Sequence, residues 1–400
     1  MLLVKSITVV TIKKTMKVCV LLFASLAVLG LSACSIIKPV AVKAPTDPQL
    51  QIVLTPPETV DRELLASPNV EFMTLSPAMK NLVAAYVPND IRPERQLDKL
   101  FDVLRYDPDY AVEYDSNATF TAQEVFELRR ANCLSFSAMF IALAREAGLQ
   151  ANFQEVDLPP EWDALSDDTL VQYRHVNVRV RWGRSGEGVV DFRMDRYSET
   201  FPQRIITDEH GLAQYYSNIS MQNMVEGNLD LAYVAAYRAI NVDPTQSFIW
   251  SNMGIIQRRL GNLEAAEVAY RQALTLDPHD ISASNNLAIL YEVQGKDALA
   301  EQMRRYSEAN KLNNPYYRYA LAQHAYRNGD YDQALSQINV AMRKQSREHR
   351  FYFLRGLSLW HIGESESAIL NVKRAIRMAR EGEPVQRYEQ QLEEWLATRS

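Results

Sequence analysis

Cys133, His175 and Asp191 are the residues whose types and order suit chemistry on an acyl group. Such chemistry needs a sulfur able to become a thiolate, a base within hydrogen-bond reach and a third group that orients the base. Apolar residues at Phe136, Met139, Phe140, Leu143 and Ala147 recur at helical spacing, so Leu134–Ala147 reads as a core helix ending before Gly148. Cys133 then stands at the helix N-terminus, where unpaired N–H groups and the positive end of the helix dipole favour an anion. His175 and Asp191 fall in Arg174–Trp182 and Gly188–Met194, which read as strands joined by the Gly183–Gly188 turn. Taken singly, each has a plainer reading: a small buried hydrophobe, a satisfied histidine, an aspartate that ends a strand. Glu155 and Asp195 are rival acids and Asp168 a remote one, and it is the ordered set that points to a site.

The other two cysteines are Cys19 and Cys34. Lys13, Lys14 and Lys17 precede the apolar run Val18–Leu29 and then Leu31-Ser32-Ala33-Cys34, which reads as a signal peptide over residues 1–33, with Met16 an alternative start to Met1. Leu-Ser-Ala-Cys also resembles the bacterial lipobox, which implies lipidation at Cys34 and stable anchoring by several acyl chains. By the same resemblance, Ser35 in place of an aspartate implies the outer membrane, facing the periplasm. With Cys34 acylated, Cys133 has no partner in its own chain. A lone thiol in an oxidising compartment is either buried and inert or kept for its chemistry.

Four hundred residues with 47% hydrophobic and 23% charged content allow two or three globular domains. Residues 1–33 hold four lysines and no acid, so the rest of the chain is about ten charges negative, which argues against a nucleic-acid partner. Residues 34–60, with Pro39, Pro45, Pro48, Pro56 and Pro57, read as anchor and extended tether. Helices are expected from Ser76-Pro77 to Val87 and from Pro93 to Arg105, a loop over Tyr106–Phe120, and a helix opened by the capping box Thr121–Glu124. A strand is expected over Ala151–Leu158 and a polar excursion over Pro159–Gln172.

From about residue 213 the chain repeats with a period of 34. Glycine recurs at 227, 261, 295, 329 and 363, alanine at 232, 266, 300, 334 and 368, and a small residue at Ser220, Gly254, Ala288, Ala322 and Gly356. Small residues at fixed positions let paired helices approach closely. This resembles the tetratricopeptide pattern, most complete in Trp250, Gly254, Ala266, Tyr270, Ala273 and Pro278, and gives five repeats over 213–382 with a capping helix in 383–400. The resemblance implies a concave groove that here includes Phe248, Ile255, Ile289, Tyr316, Tyr319, Tyr326, Phe353 and Trp360, apolar and aromatic groups suited to a peptide or protein partner. The alternative for any one of them is ordinary packing between helices.

The segments Arg130-Ala-Asn-Cys133-Leu-Ser-Phe-Ser, Leu143-Ala-Arg-Glu-Ala-Gly148, Asn152–Val156, His175-Val-Asn-Val178 and Val190-Asp-Phe192 resemble the transglutaminase-like superfamily. The resemblance implies an α+β, papain-related domain over 61–205, followed by the all-α solenoid. It also implies the roles: Cys133 as nucleophile, His175 as base and then acid, Asp191 as the orienter of the histidine. A thioester would be resolved by water, as in a peptidase or amidase, or by an amine, as in transamidation. Many relatives have glycine two before the cysteine and tryptophan two after the histidine; here Ala131 and Asn177 stand there, so the substrate class is not carried over. The remaining histidines, 210, 279, 324, 349 and 361, are scattered, and no phosphate-cradling loop or dinucleotide fingerprint occurs, so neither metal nor cofactor is expected. The leading expectation is an envelope lipoprotein that cleaves or transfers amides and binds polypeptide through its repeats. The alternative is a non-catalytic envelope scaffold or assembly factor acting through the repeats.

Overall fold

A computed structural model describes residues 42–156, 162–166, 169–172, 175–183, 186–192, 201–379 and 383–398. Cys19, Cys34, Asp168, Asp195 and the signal and anchor segment lie outside these residues.

The chain opens with α1 (Asp47–Leu54) and α2 (Arg62–Ala66), followed by α3 (Pro77–Tyr86) and α4 (Pro93–Tyr106). Residues 42–60 are not the extended tether expected from their prolines. Thr46 and Gln49 form a capping box and Pro48 sits in the first turn, where a missing N–H costs nothing. Leu50, Val53 and Leu54 then share one face, and Val53 is fully buried against the helical half. Its carbonyl accepts from Tyr233 Oη at 3.3 Å and Gln257 Nε2 at 2.9 Å, while Arg271 donates to the Lys43 carbonyl.

The loop expected over 106–120 carries β1 (Glu113–Tyr114), which pairs in parallel with β2 (Arg130–Ala131) after α5 (Ala122–Leu128). Arg129 makes the pairing possible by taking a left-handed conformation, φ 56°, with its guanidinium over the Phe126 ring at 4.3 Å. Next come α6 (Cys133–Glu146), β3 (Gln150–Val156), the antiparallel hairpin β4 (Trp162–Ser166) and β5 (Thr169–Gln172), β6 (His175–Trp182), β7 (Gly186–Val190) and β8 (Gln203–Ile205). The hairpin occupies most of the stretch read as an irregular excursion.

Strands β7, β6, β3 and β8 form an antiparallel sheet in that order. Register sets Phe153 opposite Val178 and Val178 opposite Val190, so one face carries Ala151, Phe153, Val176, Val178, Val180 and Val190. The other carries His175, Asn177 and Gln154, with Gln154 opposite Asn177. Phe136 of α6 stacks on Phe192, just past β7, at 4.2 Å, and so ties the helix to the sheet.

Five helix pairs follow: α7 (Asp208–Glu226) with α8 (Leu229–Val242), α9 (Ser247–Arg259) with α10 (Leu263–Leu276), α11 (Ile281–Val293) with α12 (Asp297–Asn313), α13 (Pro315–Arg327) with α14 (Tyr331–Lys344), and α15 (His349–His361) with α16 (Ser365–Ala379). The last helix is α17 (Glu383–Ala397). Each glycine of the 34-residue series has φ between 69° and 87°, the left-handed value that closes the turn within a pair. The periodic alanines at 232, 266, 300, 334 and 368 are fully buried. At Gly254 a Cβ would stand 2.5 Å from Tyr270 Cε1, so the close approach requires glycine. Helix α7 starts ahead of residue 213 because Thr207 caps it by accepting from the His210 N–H, and Gly211 there lies under the Phe153 ring.

One buried cluster runs from Val53 through the sheet to Tyr306 and joins the α+β part to the first three helix pairs. The last two pairs have separate cores, one around Ile338 and Phe351 and one around Val372 and Tyr388. Among the described residues no helix is long and apolar enough to cross a membrane.

Candidate functional site

Cys133 is the first residue of α6, capped by Asn132, whose side chain accepts from the Ser135 N–H at 2.9 Å. Asn132 is itself held, since its Nδ2 donates to Thr119 Oγ1 at 2.9 Å. The Ser135 hydroxyl accepts from the Phe120 N–H at 2.8 Å, so the loop ahead of α5 is fastened to the first turn of α6. The sulfur is half-buried and forms no disulfide.

His175 is the first residue of β6 and Asp191 follows β7, so the antiparallel pairing of the two strands brings the side chains together. His175 Nε2 lies 2.6 Å from Asp191 Oδ2, a short charge-assisted hydrogen bond, and the carboxylate is buried. Burial acts to lower the His175 pKa, but hydrogen bonds to Asp191 and Cys133, and the charges on both, push it up to about 10. The ring therefore holds its proton across the neutral range. Cys133, His175 and Asp191 thus stand together at one place in the fold.

Asn177, where relatives often have tryptophan, is fully buried and donates from Nδ2 to the same Asp191 Oδ2 at 3.0 Å. Its Oδ1 and Gln154 Oε1 beside it are buried and have no hydrogen-bond partner among the described residues. A role for Asn177 was not legible in the sequence; only its place two residues along the strand from His175, on the same face, hinted at one. Glu155, a rival acid, points to the opposite face, is buried, and is engaged by Arg204 Nε at 2.7 Å and Gln214 Nε2 at 3.3 Å. Among the described residues no group of three or more His, Cys, Asp or Glu is placed to hold a metal ion.

The residues expected in the repeat groove divide. Ile255 is wholly buried, because that position of α9 faces the interior of the helix stack. Phe353 stacks on Tyr388 of α17 at 4.1 Å and Trp360 stacks on Trp395 at 4.3 Å, so the terminal helix covers both. Tyr326 Oη bonds His361 Nε2 at 3.2 Å, and Phe248 and Ile289 are half-buried within the stack. Tyr316 and Tyr319 meet around Phe351, with ring centroids 5.7 and 5.1 Å from it. Two contributors to this aromatic cluster were missed: Arg350, and Phe201 from outside the repeats. Arg350, in the first turn of α15, stands 34 residues after Tyr316 at the same repeat position, so the period could have found it, whereas Phe201 lies far from the repeats in sequence.

Residues 80–186 match the transglutaminase-like superfamily, a span that includes Cys133 and His175 and ends before Asp191. Residues 247–280 and 319–383 match tetratricopeptide repeats. No curated protein matches the chain. Among solved structures, MamA from Desulfovibrio magneticus RS-1 is 17% identical over 43% of this chain and 96% of its own, with a TM-score of 0.24. A thermophilic tetratricopeptide protein of Thermus thermophilus is 14% identical over 46% and 99%, TM-score 0.24. YrrB, described as a tetratricopeptide protein with an unusual peptide-binding site, is 17% identical over 44% and 92%, TM-score 0.23. The chain therefore carries a transglutaminase-like domain at residues 80–186 and tetratricopeptide repeats between residues 247 and 383.

Proposed function

We propose that Cys133 attacks an amide carbonyl with His175 and Asp191 as its proton-transfer pair, and that the repeats hold a polypeptide substrate or partner. The observation that carries this reading is the His175 ring, hydrogen-bonded to Asp191 at 2.6 Å and near enough to Cys133 to interact with it. An imidazolium beside a sulfur at a helix N-terminus favours the thiolate. The thiolate adds to the carbonyl carbon, and the Cys133 N–H at the start of α6 is a donor for the oxygen that becomes negative. His175 then gives its proton to the departing amine as the C–N bond breaks, which leaves a thioester and a neutral ring held by Asp191. Water or a second amine attacks the thioester and yields its proton to His175. Loss of the thiolate releases a carboxylic acid or a new amide.

A peptidyl vinyl sulfone, an acyl-mimicking electrophile, tests the reading. It should label the folded protein at Cys133 alone, fail on Cys133→Ala, and lose most of its labelling rate on His175→Gln. Labelling of wild type and His175→Gln at equal rates would remove the proposed role of the histidine.

Residues 1–33 as a cleaved signal and Cys34 as a lipid site rest on their sequence pattern and make the enzyme an envelope lipoprotein. Labelled palmitate entering wild type but not Cys34→Ser would support this, and equal labelling would oppose it. The scaffold alternative draws support from one feature, the core shared by the transglutaminase-like part and the first three helix pairs, which lets that part act as a rigid extension of the repeats. It predicts that Cys133→Ala keeps the cellular phenotype whereas Tyr319→Ala loses it.

A further inference from the structure

We infer that Tyr316, Tyr319, Phe351 and Arg350 form a receiving pocket for an aromatic side chain on an extended peptide, and that this chain's own Phe201 occupies it in cis. The inference rests on the reading of the repeats as a polypeptide-binding domain and names what they bind.

The pocket is built by the solenoid itself. Arg350 is set by a two-pronged contact with Glu348, Nε to Oε1 at 2.8 Å and Nη2 to Oε2 at 3.0 Å. Burial acts to raise the Glu348 pKa, but the hydrogen bonds and charge of Arg350 hold it below the usual carboxylate range, so the pair stays ionised. A forked pair of this kind fixes the guanidinium plane before any ring arrives. The guanidinium carbon stands 5.8 Å from the Tyr316 ring and 5.9 Å from the Tyr319 ring, and both rings rest on the fully buried Phe351. A planar cation and tyrosine rings around one space suit an aromatic side chain, through cation–π and edge contacts.

The ring in that space comes from elsewhere in the chain. Phe201 is 6% exposed, its centroid 6.3 Å from Tyr316 at 75° and 5.1 Å from the Arg350 guanidinium carbon. It precedes Pro202, which disfavours a helical backbone at Phe201, and lies just ahead of β8, paired with β3. An extended segment thus delivers one aromatic anchor into a groove on another domain, the mode by which repeat grooves take peptides. An occupant belonging to the same folded chain competes at a high effective concentration, so a separate peptide must displace Phe201 and binds wild type weakly.

The test uses the nine-residue peptide Glu199–Thr207, fluorescein-labelled, and a version with alanine for Phe201, measured by anisotropy on the whole protein. Phe201→Ala protein should bind the phenylalanine peptide about tenfold or more tighter than wild type does, because the competitor in cis is gone. The alanine peptide should show no such gain, and Tyr319→Leu added to Phe201→Ala should abolish it. Thermal melting establishes that each variant is folded. If Phe201→Ala fails to fold, Phe201→Leu replaces it and should give a smaller gain of the same sign. Equal affinity of wild type and variant, no binding to the variant, or no preference for phenylalanine would each overturn the pocket. Cys133 takes no part in this binding, so an unreactive thiol leaves the pocket standing. Binding of both peptides alike to every variant would keep the repeats as a polypeptide binder while removing this site.

Discussion

Raising the pH should weaken the fold through one residue, His175. Its pKa is about 10 in the folded chain against an ordinary value of 6.5, so the folded state holds the proton more tightly than the unfolded state does. This stabilisation is complete below about pH 6.5 and is lost as pH rises through the folded value. Between those limits the folded ring carries up to one more proton than the unfolded ring, so its own contribution to the unfolding free energy should fall by about 1.4 kcal/mol per pH unit, less any proton that Cys133 gives up on folding. Over the whole window the loss from this group should reach roughly 5 kcal/mol. The ring is 9% exposed, so solvent screening removes little of it. The assay is the urea midpoint of wild type and His175→Gln at fixed ionic strength, stepped from about pH 6 to about pH 10, because the difference between the two cancels other titrating groups. The gap between the two proteins should narrow as pH rises. Asp191→Asn, which keeps the ring but removes the charge at 2.6 Å, should move the narrowing to lower pH. A gap that stays constant all the way to about pH 10, or that widens with pH, would refute the picture of a histidine held charged by Asp191.

Three further outcomes follow from particular contacts. Gly254→Ala places a Cβ 2.5 Å from a ring carbon of the fully buried Tyr270, and overpacking of this kind costs about 1–3 kcal/mol, to be read as a lower melting temperature. Trp395→Ala removes the stack on Trp360; beyond lost burial this is worth about 0.5–1.5 kcal/mol, and amide exchange over residues 383–397 should accelerate while that of α9 and α10 does not. Asn177→Leu takes away the second donor to Asp191 Oδ2 in a buried setting, a loss of about 1–3 kcal/mol, and should slow Cys133 alkylation; an unchanged alkylation rate would show that the carboxylate needs no such support.

What was legible in the sequence was what local spacing and chemistry encode. The Cys133 helix shows in its apolar spacing and in Gly148, which takes φ 83° where the helix ends. The five solenoid turns show in glycines at a fixed period, because only glycine takes that left-handed conformation cheaply. Strand ends shifted by a few residues, since alternation alone does not mark where pairing stops. Contacts between distant segments were the part hidden from view. Prolines at 48, 56 and 57 suggested an extended tether, yet they start and end a short helix whose Leu50, Val53 and Leu54 pack into a core shared with the solenoid. Of the groove residues, Phe353 and Trp360 carry the right side chains at the right positions, but α17 turns back over them, and no local pattern records that. Phe201 has no periodic neighbour at all; its meaning comes from the Arg350 side chain it meets.

The central claim is that His175 keeps the Cys133 sulfur reactive, and the rate of iodoacetamide alkylation at Cys133, located by peptide mass spectrometry, tests it most directly. Near pH 6, where a free thiol is almost entirely protonated, wild type should react about tenfold or more faster than His175→Gln, because an imidazolium beside the sulfur favours the thiolate. Equal rates in the two proteins, or a Cys133 that stays silent in the folded wild type up to about pH 9 while reacting once unfolded, would contradict the account.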